Sequence, residues 1–121
     1  MTKRDPLETL RQMREFALEA AALAEGRSSS DLETDLPFRR HAERVAELIG
    51  EAANRLPKEL HLAWPGIPWR EMIGMRNWLI HGYDGIDSEI LWDVLQGHAA
   101  SLAMHLAELI RATEESSDRE L

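Results

Sequence analysis

The sequence contains no cysteine. Disulfides and Cys-ligated zinc or iron–sulfur centres are excluded, and a reducing cytoplasm is the expected compartment. Long apolar runs are also missing. None approaches the ~20 residues needed to span a bilayer, and the polar opening Met1-Thr2-Lys3-Arg4-Asp5 does not read as a signal peptide, so no membrane partner is expected. Strand-type alternation of apolar and polar residues is scarce. There is no Gly-rich phosphate loop, serine-nucleophile motif, pair of catalytic carboxylates or internal repeat. Positive charge is in short supply: 14 basic against 22 acidic side chains leave a net charge of −8. That balance argues against a general nucleic-acid coating.

What is present suits helices. Apolar residues make up 44% and charged residues 30% of 121, with Ala, Leu, Glu and Arg plentiful, which predicts one all-α domain over 1–121. Asp5-Pro6-Leu7-Glu8 reads as a helix start, followed by Leu7, Leu10, Met13, Leu18 and Ala21 and closed by Gly26. Residues 27–31 read as a loop. A second helix starts at Asp35-Leu36-Pro37, with Phe38, Ala42, Val45, Ile49, Ala52 and Leu56 as its buried stripe. A short turn of helix follows Pro57. A third main helix is predicted from about Trp69 to His81, stopped by Gly82. The last runs from Asp87 as N-cap to about Ala112, leaving an acidic tail over 113–121 that is expected to fray. The expected architecture is an up-and-down bundle of four main helices plus a short extra helix.

Charge is uneven along this chain. Residues 1–35 carry −3, residues 36–82 carry +2 and residues 83–121 carry −7. The one net-basic segment ends in Arg76-Asn77-Trp78-Leu79-Ile80-His81-Gly82-Tyr83. On a helical wheel Arg76 falls in the middle of an apolar arc made by Trp69, Met72, Ile73, Leu79 and Ile80. An arginine there is either ion-paired, with Glu47 or Glu51 in reach, or opens onto a cleft or partner. A second stripe holds Arg70, Gly74, Asn77 and His81, which is the equipment of a phosphodiester site and equally the make-up of an ordinary solvated face. Arg76 and His81 stand about 140° apart. To serve one phosphate, the arginine must reach around, the helix must distort near Gly82, or two copies must meet. His81 lies where the helix dipole favours an imidazolium, fit for proton transfer or simply for capping the helix end.

Arg76-Asn77-x3-His81-x-Tyr83 resembles the Arg-x4-His-x-Tyr signature of HepT-like (DUF86) proteins of the HEPN superfamily. Ile49-Gly50-Glu51-Ala52-Ala53, Ile67-Pro68-Trp69-Arg70, Gly74-Met75 and Gly85-Ile86-Asp87 extend the likeness, closely over about 36–95. The resemblance implies a dimerising helical bundle and a metal-independent endoribonuclease, without cofactor, that is the toxin of a toxin–antitoxin pair. It implies Arg76 and His81 as the catalytic pair, with Asn77 in the polar position beside the arginine. Arg70 and Asn77 are the expected contacts to RNA phosphate. Tyr83 is implied as the residue to which a partner MntA-type minimal nucleotidyltransferase antitoxin transfers AMP. The competing reading is a non-catalytic helical partner, or substrate-binding subunit, of such a nucleotidyltransferase.

Other candidates are thinner. His98 and His105 share a helix face without a third ligand nearby, and His41 and His61 are isolated. Trp64, Trp69 and Trp92 are expected to pack. Trp78 lies away from the core arc and is a candidate for stacking a base or facing a partner.

Overall fold

The computed structural model describes residues 5–82 and 86–119. Helix α1 covers Pro6–Leu23, α2 Asp31–Thr34, α3 Leu36–Arg55, α4 Lys58–Ala63 and α5 Trp69–Ile80. A closing rod consists of α6 Ser88–Trp92, a π-helical stretch Asp93–His98 and α7 Ala99–Arg119. The described residues contain helices and no strand. The fold is all-α, as expected.

Local chemistry sets the boundaries. The Asp5 carboxylate accepts from the Leu7 amide at 3.0 Å, and that of Asp35 from the Phe38 amide at 3.2 Å. Each satisfies an amide that a helix start leaves without a partner. Asp35 also takes a bond from Arg27 Nη1 at 3.0 Å, while the Arg27 guanidinium lies 4.3 Å over the Phe38 ring. The backbone bond from Phe38, then Arg27, holds the Asp35 carboxyl below the usual carboxylate range. Gly82 ends α5 at φ +67°, and Gly26 follows α1 at φ +70°. That is the left-handed conformation which only glycine adopts cheaply.

Three expectations change. Residues 31–34, of which only Asp31 lies inside the predicted loop, form α2, nucleated where Asp31 Oδ2 accepts from the Ser28 amide at 2.9 Å. The buried stripe of α1 is Leu10, Met13, Ala17 and Ala20, whereas Leu18 is exposed. One position past Ala17, Leu18 is rotated about 100° off that stripe. The last helix extends through Arg119, past the predicted end near Ala112, and Arg11 of α1 pairs with its Glu114 at 3.1 Å.

Helix α1 packs on α3 and α7, and α3 packs on α5. The core joins Leu10 and Met13 to Phe38, Val45 and Ile49, and to Leu91, Leu95, Leu106 and Leu109. Helix α5 rests chiefly on α3, so its outer flanks face two grooves. That position puts the Arg-His segment at the edge of the bundle.

Candidate functional site

The site is built where α5 crosses α3. Gly50 of α3 lies against Arg76 of α5 so closely that a Cβ at position 50 would fall 2.3 Å from the Arg76 Cβ and 2.5 Å from the Met72 carbonyl oxygen. The arginine stem therefore seats on bare backbone. Arg76 does occupy the core-facing arc, as the wheel placed it, and is half-buried. Ile80, assigned to the same arc, is 44% exposed in the last turn.

The ion pairs considered for Arg76 are taken by another residue. Glu47 and Glu51 both pair with Arg44, at 2.8 and 3.7 Å. Arg76 instead donates from Nη1 to Asn77 Oδ1 at 2.9 Å, and its buried Nε has no hydrogen-bond partner. That bond has a geometric consequence. Asn77 belongs to the second stripe, four residues before His81 and about 40° from it around the helix. The stem of Arg76 starts in the core-facing arc, and its head bonds Asn77, a residue of the stripe that carries His81.

His81 is the C-cap of α5, exposed, with its amide donating to the Asn77 carbonyl at 3.2 Å. The helix stays regular up to that point. Arg70, Gly74 and Asn77 share the exposed face as predicted and line a groove of about 840 Å³ between α4 and α5. Tyr83, the expected AMP acceptor, lies outside the described residues. Past it, Arg39 of α3 holds the returning chain: it donates to the Ile86 carbonyl and to Ser88 Oγ (2.7 Å), and pairs with Glu43 at 3.2 Å.

Several contributors escaped sequence reasoning. Gly50 was visible as a glycine inside a strong helix, a signal of close approach. Arg39 gave no signal beyond its charge. Lys58 and His61 join the groove from α4, whose position no periodicity reveals. His61 stacks on Trp69 (centroids 4.4 Å apart, planes at 15°) and donates from Nε2 to the Ala53 carbonyl at 2.9 Å. Trp69 is buried and donates to the Trp64 carbonyl at 3.0 Å, while Trp78 is 47% exposed. His98 and His105 line a separate, largely apolar groove of about 400 Å³ with Met72 and Met75. Among the described residues no three His, Asp or Glu side chains stand together as a metal site.

The model of the family described as "Ribonuclease HepT-like" matches residues 5–109. This chain belongs to the HepT-like ribonuclease family. A Caldanaerobacter subterraneus protein named "Putative RNase" is 34% identical over 110 residues, covering 91% of this chain and 96% of its own. A Methanocaldococcus jannaschii "Putative RNase" is 32% identical over 79% of this chain and 88% of its own. A Thermococcus cleftensis "Probable ribonuclease HepT" is 44% identical over 59 residues, 49% of this chain and 54% of its own. No solved structure matches significantly. The HepT-like match takes in α1 through about the first half of α7, so it covers the α3–α5 crossing and every described residue of the Arg-His segment.

Proposed function

We propose that this protein is a metal-independent endoribonuclease that acts as the toxin of a toxin–antitoxin pair, with Arg76 and His81 as its catalytic residues. The observation that carries the reading is the Arg76–Asn77 bond, which ties a guanidinium to a residue of the α5 face that ends in His81. The relatives named as RNases supply the substrate class.

The chemistry needs few groups. RNA brings its own nucleophile. The 2′-oxygen forms a bond to phosphorus as the bond to O5′ breaks, leaving a 2′,3′-cyclic phosphate and a 5′-hydroxyl. The His81 imidazole takes the 2′-hydroxyl proton and returns it to the departing O5′. Arg76 holds the charge that builds on the phosphorane oxygens. Asn77 orients the guanidinium, and with Arg70 it contacts the phosphate backbone. A second copy closes the cleft as a homodimer; the half-exposed Trp78 and the apolar groove beside α5 are surfaces suited to such a partner. Tyr83, two residues past His81, is the acceptor for AMP from an MntA-type minimal nucleotidyltransferase. The added phosphate and bulk at the cleft mouth repel RNA and block it.

His81→Ala and Arg76→Ala should each lower RNA cleavage by at least about 100-fold, the usual scale for removing a proton-transfer or charge-stabilising group. Both should keep the helical circular dichroism of the parent, and cleavage by the parent should survive EDTA. Undiminished cleavage by His81→Ala protein would sink the mechanism. The net charge of −8 favours a second reading, a non-catalytic partner of the nucleotidyltransferase. Expression of the chain alone separates the two: growth arrest supports the toxin, and harmless expression of folded protein supports the partner.

A further inference from the structure

We infer that the groove between α4 and α5 is a binding track for single-stranded RNA, which leads the strand away from the cut phosphate and holds its flanking phosphates on Lys58 and Arg70. The inference rests on the ribonuclease reading and extends it to residues of α4. Asn77 links the two places. Its side chain lines the groove, and its Oδ1 accepts from Arg76. The groove therefore reaches the residue that bonds the candidate catalytic arginine.

Its lining suits a polyanion. Lys58 and Arg70 supply two cations against one carboxylate, Glu71, in a protein whose net charge is −8. Neither cation has an ion-pair partner among the described residues. Most other basic side chains of the same segment are engaged: Arg39 with Glu43, Arg44 with Glu47, Arg76 with Asn77. Arg70 lies seven residues before Asn77, so it sits about 10 Å along the helix axis from it. That separation serves a neighbouring phosphate and not the one being cut. Gly74 stands between them, and a Cβ there would meet nothing within 4 Å. The floor of the groove is thus kept low without any packing need for a glycine. His61 stacked on Trp69 fixes α4 as the far wall. A single strand fits the chemistry, because in-line attack by the 2′-oxygen needs a backbone free of A-form constraint.

The test compares a 20-nucleotide unstructured RNA with a dinucleoside monophosphate as substrates. Wild-type protein should prefer the long RNA in kcat/KM. Lys58→Gln and Arg70→Gln should erode that preference, and Lys58→Arg and Arg70→Lys should keep it. Gly74→Trp, which fills the floor, should erode it most. Binding of the long RNA, measured on a His81→Ala background, should lose about 0.7 from its log-affinity versus log-salt slope for each neutralised cation. A length preference and a salt slope equal to the parent's in Lys58→Gln and Arg70→Gln would overturn the track while leaving the catalytic reading standing. Failure of the wild type to cleave either RNA would overturn that reading, and the track as a substrate path with it.

Discussion

Gly50 shows how one missing side chain places a functional one. Helix interiors penalise glycine by about 1 kcal/mol relative to alanine. Here the gap it leaves is filled by the Arg76 stem and the Met72 carbonyl. The obstruction is backbone as well as side chain, so neighbours cannot simply swing aside. Gly50→Ala should therefore lower stability by about 1–3 kcal/mol, as overpacking does, despite the better helix former. Urea unfolding monitored at 222 nm measures it, and a more stable Gly50→Ala protein would refute the packing account. Arg76 itself was readable from the sequence as a charge in an apolar arc. Its partner was not, because both glutamates within plausible reach belong to Arg44 and the bond goes to the next residue along.

Elements were legible where a cap coincided with a periodic stripe. Asp5, Asp35 and Asp87 each mark a helix start, and the stripe of α3 is buried from Phe38 to Leu56. Short helices were harder, since the four residues of α2 are too few to show a period. The π-helical stretch Asp93–His98 was not visible either, because a widened turn leaves no composition signal of its own. Two predictions belong at this scale. Asp35 caps α3 as a carboxylate whose pKa is lowered, chiefly by the Phe38 amide. A lowered folded-state value means stability that is present above the ordinary carboxylate pKa and lost as pH falls through the folded value. Asp35→Ala should melt below wild type near neutrality, and the gap should close on acidification. A gap that stays constant between neutral pH and pH 3 contradicts the cap. Gly74 is the reverse of Gly50: on α5, a Cβ meets nothing within 4 Å. Gly74→Ala should stabilise the fold by up to about 1 kcal/mol in the same urea measurement, and a loss of stability would show that the face is not open.

For the whole molecule, the decisive feature is that α5 rests chiefly on α3 and leaves its flanks open. Sequence alone could not give this, because a wheel shows which arc of a helix is apolar and not how many neighbours cover it. The same wheel set Arg76 and His81 on different faces, which made two chains meeting across a two-fold the easiest way to join them. The Arg76–Asn77 bond argues for a route within one chain, since it ties the guanidinium to a residue of the His81 face. Co-expression of Arg76→Ala and His81→Ala chains distinguishes the two routes. If each chain builds its own site, every mixed dimer lacks one essential group per site, and the mixture stays as inactive as either parent. If the arginine of one chain serves the histidine of the other, a mixed dimer keeps one intact site of two. Half of the randomly paired dimers are mixed, so the mixture would recover about a quarter of wild-type cleavage. The expected result is no recovery, with native mass measurement showing that mixed dimers formed. Recovery near a quarter would place the working pair across the two-fold and reduce the Asn77 bond to a resting position of Arg76.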